Sequence, residues 1–443
     1  MNDTELLHLI RSRVPALTSR GLARVIMELV AQGDIPAGRK MPTVRVVASS
    51  LRMSAASVAL AWGELVRWQV FETRRRGGTF VLGPAQAPRA TRFDHMIRAS
   101  QNIQINLGNL TPDIKILPPL EPALHAACQN PILHDPYPFL ITDALRDAVR
   151  PNWPFKTESF LATHGGVDAV ELALKGVSRP GDRIIVESPG VSRVLDIVES
   201  IGAVPIPVNY GPGGPDLSQL KWALSQRPSA MIYQPIGQSP SGHSVSPMWV
   251  EQAGKLLSGS SIPIIELSQA SLMHETNGCS LGTLFPERTV RIHSYNYFFG
   301  SGLRVGVAGG SPDVIDRMWQ PLTFSSRWVS RVFQDALAFQ LTDSTARQHL
   351  DRYVARALGR HRNMLGALRA VGFDLPETRG PSIWLPVLDE HVATTHMGLH
   401  GIVVHPGRYF AVGPQTLHHV LINSTLLDDG YEDIARKLAE AAC

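Results

Sequence analysis

The chain has 443 residues, about three times the ~150 residues of a typical domain, so we expect more than one hydrophobic core. Hydrophobic residues make up 44% and charged residues 18%, which excludes a disordered chain or a coiled coil. The sequence has no apolar run of ~18 residues and does not begin like a signal peptide, so we expect a cytoplasmic protein without membrane contact. Cys128, Cys279 and Cys443 are far apart and lack metal-ligand spacing, which predicts free thiols and no metal site.

The positive charge is concentrated at the N-terminus. Up to Leu82 there are 12 Arg and Lys against 6 Asp and Glu, whereas the remainder has 30 against 32. The net charge of +4 therefore comes entirely from the first fifth of the chain. This asymmetry indicates a segment that binds a polyanion, and a solvated basic surface without a partner is the alternative.

The N-terminal segment has the pattern of a winged helix-turn-helix. Leu22–Gln32 is amphipathic and ends at Gly33, Thr43 can cap a second helix, and Ser54 can cap a third. Residues 70–81 then predict two short strands around a basic turn that contains glycine.

These residues resemble the DNA-binding domain of GntR-type regulators, with matching runs at 38–45, 54–58 and 78–81. One departure is that the recognition helix usually opens with Ser-Arg, whereas Ala55 and Ala56 follow Ser54 here. A solvated hairpin tip is the alternative reading of the three wing arginines. The resemblance implies contacts to double-stranded operator DNA from Arg39, Thr43, Arg45, Ser54, Ser57, Arg74, Arg75, Arg76 and Gly78.

A Pro- and Ala-rich stretch from Gly83 predicts a linker over 83–104. Beyond it, strand-like apolar runs alternate with amphipathic helices from about 165 to 308. This alternation predicts right-handed parallel crossovers and an α/β sheet covered by helices.

The larger segment resembles the fold-type I, pyridoxal-phosphate-dependent aminotransferases, and the whole chain resembles the MocR subgroup of GntR regulators. The resemblance rests on Leu107–Asp113, Asp135-Pro136, Thr163–Asp168, Pro240–Gly242 and the strand ending at Asn423. It implies a homodimer and permits a head-to-tail arrangement of the two chains. The predicted domains are a winged helix-turn-helix at 1–82, the linker at 83–104, a large α/β domain at 105–330 and a smaller α+β domain at 331–443.

The resemblance implies that the phosphate-binding end of the cofactor site is kept. Gly165 and Gly166 open a helix whose free N–H groups favour an anion, and Ser294 and Arg304 occupy the other phosphate-contact positions. An intramolecular carboxylate partner for Arg304 is the alternative.

The ring-binding end of the site is changed. Tyr297 stands where the family has the Schiff-base lysine, and a phenol cannot form an imine. No lysine occurs from Leu256 to Arg436 that could replace it. At the other ring positions, Leu267 stands in place of an aspartate, Gln269 in place of a tyrosine, Val191 in place of the stacking aromatic residue and Ser239 in place of an asparagine. At the substrate position, Leu421 stands in place of the arginine that binds the substrate carboxylate.

We therefore expect a transcriptional regulator and not an enzyme. We expect no cofactor in its aminotransferase-like domain, and no Schiff base to pyridoxal phosphate. The remodelled site is expected to bind a small-molecule effector, although Tyr297 could instead simply fill space. A pyridoxal-phosphate enzyme and a DNA-binding dimer without an effector are the alternatives. The candidate effector-binding residues are Gly165, Gly166, Ser239, Gln269, Ser294, Tyr295, Tyr297, Arg304, Trp384 and Arg408.

Overall fold

The computed structural model describes residues 2–14, 17–74, 77–86, 89–99, 103–135, 139–275, 278–413 and 415–442. They form two compact units, one of Met1–Ala90 together with Glu199–Gly202 and a larger one of Thr91–Val198 and Ala203–Cys443. Within these ranges no helix is both long and apolar enough to cross a membrane.

The N-terminal unit is a winged helix-turn-helix, as predicted. It contains helices α1 (Asp3–Arg13), α2 (Ser19–Ala31), α3 (Val44–Leu51) and α4 (Ala55–Arg67) and strands β1 (Phe71–Arg74) and β2 (Gly78–Val81). The two strands pair antiparallel to form the wing. The Thr43 hydroxyl accepts a hydrogen bond from the Val46 N–H at 3.4 Å, and the Ser54 hydroxyl accepts one from the Ser57 N–H at 3.0 Å. These caps fix where α3 and α4 begin.

Helix α1 was not predicted from the sequence. It begins with a capping box, in which the Asn2 side chain accepts from the Glu5 N–H and the Glu5 carboxylate accepts from the Asn2 N–H. Leu6 and Ile10 are fully buried in the core of the unit. The helix is therefore part of the folded N-terminal winged helix-turn-helix unit, which is called the reader from here on.

The larger unit alternates helices and strands along most of its length. Its helices are α5 (Thr91–Ala99), α6 (Glu121–Cys128), α7 (Asp143–Val149), α8 (Gly166–Val177), α9 (Ser192–Ser200), α10 (Leu217–Ser225), α11 (Pro247–Leu257), α12 (Asn296–Leu303), α13 (Pro312–Trp319), α14 (Arg331–Thr342), α15 (Ser344–Ala370), α16 (Glu390–Leu399) and α17 (Tyr431–Ala442). Its strands are β3 (Ile105–Asn106), β4 (Ser159–Thr163), β5 (Arg183–Ser188), β6 (Val204–Gly211), β7 (Gly214–Pro215), β8 (Ala230–Tyr233), β9 (Ile264–Ser268), β10 (Thr289–Ser294), β11 (Gly306–Gly310), β12 (Ser382–Pro386), β13 (Ile402–Val403), β14 (His405–Pro406) and β15 (His419–Asn423).

An eight-stranded sheet in the order β4-β11-β10-β9-β8-β5-β6-β7 forms the centre of the larger unit. The strands from β10 through β9, β8 and β5 to β6 are parallel, as the alternating pattern predicted. Strand β11 runs antiparallel to both of its neighbours, so the sheet is mixed. A smaller sheet, β12-β15-β14, lies in the C-terminal part. The predicted fold class, a winged helix-turn-helix with a fold-type I aminotransferase-like body, is confirmed.

The predicted linker differs from the structure in its second half. Within 83–104, Thr91–Ala99 forms helix α5, and Met96 is buried against the larger unit. Phe93, Met96 and Ile97 follow helical spacing, but Met96 is the one buried residue of this short helix, which comes directly after the Pro- and Ala-rich stretch.

A buried ion pair joins the two strands at the middle of the large sheet. Glu266 on β9 lies opposite Arg291 on β10, and their side chains, both fully buried, meet at 3.1 Å. The Glu266 carboxylate also accepts hydrogen bonds from the Tyr233 hydroxyl, the Ser280 hydroxyl and the Leu281 N–H. The carboxylate therefore has a structural role, with its oxygens fully used.

We predict that Arg291→Met lowers the free energy of unfolding by about 3–5 kcal/mol, because it leaves the Glu266 carboxylate buried without its cation. The double variant with Glu266→Leu should recover much of this loss, since it removes the second charge as well. Urea denaturation of the full chain measures both effects. The exposed Arg317, paired with Asp313 at 2.8 Å, provides the control Arg317→Met, with an expected change below about 1 kcal/mol. A loss below about 1 kcal/mol in the free energy of unfolding of Arg291→Met would contradict the prediction.

Candidate ligand site

The phosphate-binding end of the predicted site is assembled from three adjacent strands. In the sheet, Gly306 pairs with Thr163 on one side and with Ser294 on the other. Gly165, with φ 95°, then turns the chain into helix α8, and a Cβ on Gly166 would come within 2.6 Å of the Ser294 Cβ. The glycines are therefore needed for both the turn and the close approach. The free N–H groups of this helix start can bind an anion beside the Ser294 hydroxyl.

Two arginines supply positive charge to this end of the site. Arg304 is exposed and, within the described ranges, makes no hydrogen bond or ion pair. The alternative that it pairs with an internal carboxylate is thus not what the structure has. Burial lowers the pKa of Arg193, and the nearby positive charge of Arg304 lowers it further. The carboxylates of Asp196, Glu171 and Asp94 raise the pKa of Arg193 and offset part of its charge, whereas Arg304 has no ion pair among the described residues and can attract an anionic ligand.

Arg193 was not among the predicted site residues. It is half-buried on α9, and its guanidinium lies 4.1 Å from the centre of the Phe93 ring. A signal did exist, because Arg193 stands two residues after Val191, at the position of the stacking aromatic residue. Phe93 could not have been found from the sequence, because it lies on the helix that was assigned to the linker.

Tyr297 is anchored within the protein. Its side chain is 8% exposed, and its hydroxyl bonds the Thr425 hydroxyl. The Thr425 hydroxyl donates to the Asn423 side-chain oxygen at 2.8 Å, so Tyr297 must be the donor in its own bond. Burial raises the pKa of the Tyr297 phenol to about 12. The phenol is therefore a neutral, engaged group at neutral pH, which agrees with the space-filling alternative.

Leu267 and Val191, at two of the predicted ring-contact positions, border a small internal cavity that none of the phosphate-end residues lines. The cavity has a volume of about 10 Å³, room for about one water molecule. Ser239 is buried, and its backbone N–H and C=O are both bound by the side chain of Gln234. Gln269 is half-buried just after β9. Leu267 and Val191 thus supply neither a carboxylate nor an aromatic ring, whereas the buried Glu187 carboxylate lines the same cavity and accepts a hydrogen bond from the Gln234 N–H at 2.9 Å.

The three remaining predicted effector residues have other partners. Trp384 stacks on His419 with ring centres 5.0 Å apart, and both line a separate cavity of about 180 Å³. The guanidinium of Arg408 lies 3.4 Å from the Glu390 carboxylate, so it is not a free fork for a ligand. Tyr295 is buried among aromatic rings, and burial raises the pKa of its phenol.

Most of the predicted DNA-contacting residues lie on the surface of the reader. Arg45 and Ser54 are exposed at the starts of α3 and α4, and Ser57 bonds Ser54 at 2.8 Å. Arg39 is 15% exposed and pairs with Asp3 of α1 at 3.2 Å. Arg74 and Gly78 flank the wing tip, and Arg75 and Arg76 lie outside the described residues.

Lys40 is a further basic residue at the wing. Its ammonium lies 6.0 Å from the Phe80 ring centre, and a Cβ on Gly78 would come within 2.9 Å of the Lys40 Cε. Lys40 is part of the motif run from Gly38 to Arg45 but was not singled out.

Comparisons with known proteins identify both parts of the chain. Residues 18–81 match the family of bacterial regulatory proteins, gntR family, and residues 298–424 match aminotransferase class I and II. The vitamin B6 salvage pathway transcriptional repressor PtsJ of Salmonella typhimurium is 24% identical over 94% of this chain and 96% of its own. The HTH-type pyridoxine biosynthesis transcriptional regulator PdxR of Corynebacterium glutamicum is 26% identical over 81% of this chain and 79% of its own.

The structure of Pyrococcus horikoshii kynurenine aminotransferase, solved in complex with PMP, has a similar fold. It superposes with a TM-score of 0.73 at 17% identity, covering 80% of this chain and 94% of that one. The recognition of a MocR-type domain combination is confirmed by these matches together.

These findings overturn the expectation that the domain has no cofactor. A class I and II aminotransferase match and a neighbour that carries PMP point to a pyridoxal-phosphate-binding domain. The expectation was wrong because it treated the loss of the lysine as the loss of binding. Gly165, Gly166, Ser294 and Arg304 fit the phosphate of such a group without requiring a covalent bond, whereas Tyr297 cannot form one.

We predict that Tyr297→Phe lowers the free energy of unfolding by about 1 kcal/mol, because one neutral hydrogen bond is lost while Thr425 keeps its bond to Asn423. Thr425→Val should cost more, about 1–3 kcal/mol, because it leaves the Tyr297 hydroxyl buried without an acceptor. Chemical denaturation measures both variants. Tyr409→Phe, whose hydroxyl has no hydrogen bond to any described residue, is the control. Equal costs for Tyr297→Phe and Thr425→Val would show that the hydroxyl does not donate to Thr425.

Proposed function

We propose that this chain, a transcriptional regulator of the MocR type that joins a GntR-family DNA-binding domain to an aminotransferase-like domain, responds to a phosphorylated pyridine of the vitamin B6 class held without a covalent bond. The observation that carries the proposal is Arg304, which has no ion pair among the described residues and stands two residues before Gly306, whose backbone lies against that of Gly165. The names of PtsJ and PdxR, both linked to vitamin B6, support this ligand class.

The phosphate end supplies most of the recognition in this proposal. A phosphate monoester carries about two negative charges near neutral pH, and the Arg193 and Arg304 guanidiniums can share them. The N–H groups at the start of α8 add neutral donors in the same place. Removal of like-charge repulsion between the arginines adds to the gain on binding.

The ring end explains why binding is reversible. Bound pyridoxal phosphate would supply a charged phosphate and an aromatic ring for recognition, and no covalent chemistry through residue 297. Tyr297 donates its hydrogen bond to Thr425 and stays neutral. With Leu267 in place of aspartate, the chain also lacks the carboxylate that would hold the ring nitrogen protonated at this position. We therefore propose that the domain senses its ligand and does not transaminate.

The DNA-binding part of the proposal rests on the reader. The starts of α3 and α4 are exposed, with Arg45 free of ion pairs among the described residues, and the wing carries Arg74 and Lys40. Such groups contact phosphates and guanine edges. We propose that the aminotransferase-like domain forms a homodimer, which would pair two readers on two half-sites.

The ligand proposal predicts saturable binding of pyridoxal phosphate by the full chain, measured by isothermal titration calorimetry. Arg304→Ala should weaken it at least about tenfold, because a charge-assisted contact to phosphate is lost. Arg317→Ala, at an exposed arginine on α13, is the matched control and should bind normally. A stoichiometric pyridoxyl label that survives borohydride and unfolding would contradict non-covalent binding, and undiminished affinity in Arg304→Ala would contradict the phosphate assignment.

The DNA proposal predicts that Arg45→Ala weakens binding to an operator fragment selected from random DNA. If Arg45 contacts a phosphate, the slope of log affinity against log salt concentration should fall by about 1. Fluorescence anisotropy across a salt series measures both quantities. Arg24→Ala is the control, because Arg24 is exposed on α2 and paired with Glu28. An unchanged affinity in Arg45→Ala would remove this residue from the interface.

A further inference from the structure

The wing carries an aromatic ring that lies outside the hydrophobic core of the reader. Phe80 is half-buried on β2. Among the described residues, it belongs neither to that core nor to the apolar side chains packed on it. Phe71, on the neighbouring strand β1, is 1% exposed and does belong to the core. Burial in the core therefore does not account for an aromatic residue at position 80.

Two cations lie close to this ring. The Arg74 guanidinium is 4.6 Å from the Phe80 ring centre, and the Lys40 ammonium is 6.0 Å from it. The face of an aromatic ring carries negative partial charge and attracts both groups. Lys40 comes from the segment before α3 and Arg74 from β1, so the ring brings together two charges that are distant in sequence.

The backbone of the wing places these side chains on one face. Lys40 forms an isolated antiparallel bridge with Phe80, and Phe80 pairs with Glu72 in the hairpin. Cross-strand partners lie on the same face, as do residues two positions apart on a strand, which adds Arg74 to the set. The arrangement therefore follows from strand pairing and not from a single side-chain rotamer.

Two glycines at the wing tip leave room for the cations. A Cβ on Gly78 would come within 2.9 Å of the Lys40 Cε, so the lysine stem passes over this position. A Cβ on Gly77 would come within 3.2 Å of the Arg74 Cβ and 3.3 Å of the Phe80 ring. A side chain at 78 would displace the Lys40 stem, and one at 77 would press on the ring and on Arg74.

Glu72 orients Arg74 without using all of its donors. One Glu72 carboxylate oxygen lies 3.0 Å from the Arg74 Nε and 2.9 Å from its Nη2. A guanidinium has further N–H groups, and those of Arg74 have no partner among the described residues. Arg74 is 59% exposed, and the exposed Lys40 makes no ion pair in the described part of the chain. Both cations are therefore accessible to an anion at the wing.

We propose that Phe80 is a positioning residue, which holds Lys40 and Arg74 as a pair for the phosphates of operator DNA. This inference rests on the proposed DNA binding and specifies how the wing contributes to it. Two cations close together repel each other, and the ring offsets part of this repulsion by attracting both. The pair then meets the closely spaced phosphates with less loss of side-chain freedom on binding.

The test measures binding of the full chain to an operator fragment selected from random DNA, by fluorescence anisotropy across a salt series. Phe80→Leu keeps an apolar side chain but removes the ring face. It should weaken binding at least about threefold and lower the slope of log affinity against log salt concentration by about 1, because a phosphate contact is lost. Phe80→Tyr keeps the ring and should bind like the wild type.

Trp68→Leu is the matched control. Trp68 is also half-buried, and its ring centre lies 6.0 Å from the Arg67 guanidinium at the end of α4. This variant should keep the salt slope of the wild type. Phe80→Met, with an unbranched apolar side chain, covers a failure of Phe80→Leu to fold and should lower the slope in the same way.

A cycle of variants separates positioning from a general loss of stability. In the double variant Lys40→Met/Arg74→Met, the further change Phe80→Leu should leave the salt slope unchanged, because no cation remains for the ring to hold. Phe80 variants that bind with the wild-type slope would overturn the positioning role alone, whatever their affinity. A wild-type protein that binds no DNA would overturn the proposed function and this inference together.

Discussion

The buried pair between Glu266 and Arg291 sets the geometry on which the candidate site depends. It links β9 to β10 in the middle of the mixed sheet, with both side chains fully buried. Such a pair is sensitive to displacement, because neither charge can reach water if the strands slip. Residue 267 follows the carboxylate on β9, and β10 ends at Ser294. The relative position of the ring end and the phosphate end is thereby fixed from within the sheet.

The reader could be derived from the sequence in considerable detail, because its signals are local. The caps at Thr43 and Ser54 and the turn between the wing strands each depend on residues within a few positions of one another. The strands and helices from 165 to 308 followed from apolar periodicity for the same reason. Helix α1 escaped because its buried stripe is short and its start depends on one capping box.

The site was harder to predict because its contacts are distant in sequence. Arg408 was expected to contact the effector, but its guanidinium lies 3.4 Å from the carboxylate of Glu390, 18 residues earlier. Arg193 was missed because its proximity to Arg304 links residues far apart in the sequence, and Phe93, whose ring the guanidinium contacts, belongs to a helix that was assigned to the linker. The error about the cofactor had a chemical origin, since a missing nucleophile removes a bond-forming step but leaves phosphate contacts intact.

The hydrogen bond from Tyr297 to Thr425 has a kinetic consequence. A ligand joined to lysine leaves only after a bond is broken, whereas one held beside Tyr297 leaves by simple dissociation. The occupancy of the site then follows the concentration of free ligand through mass action. The free energy of unfolding of the domain rises with that concentration in the same way. At a ligand concentration of about 100 times Kd, binding adds about 2.7 kcal/mol to the free energy of unfolding. In the proposed function, tyrosine in place of lysine thus gives a site whose ligand exchanges with its surroundings without breaking a covalent bond.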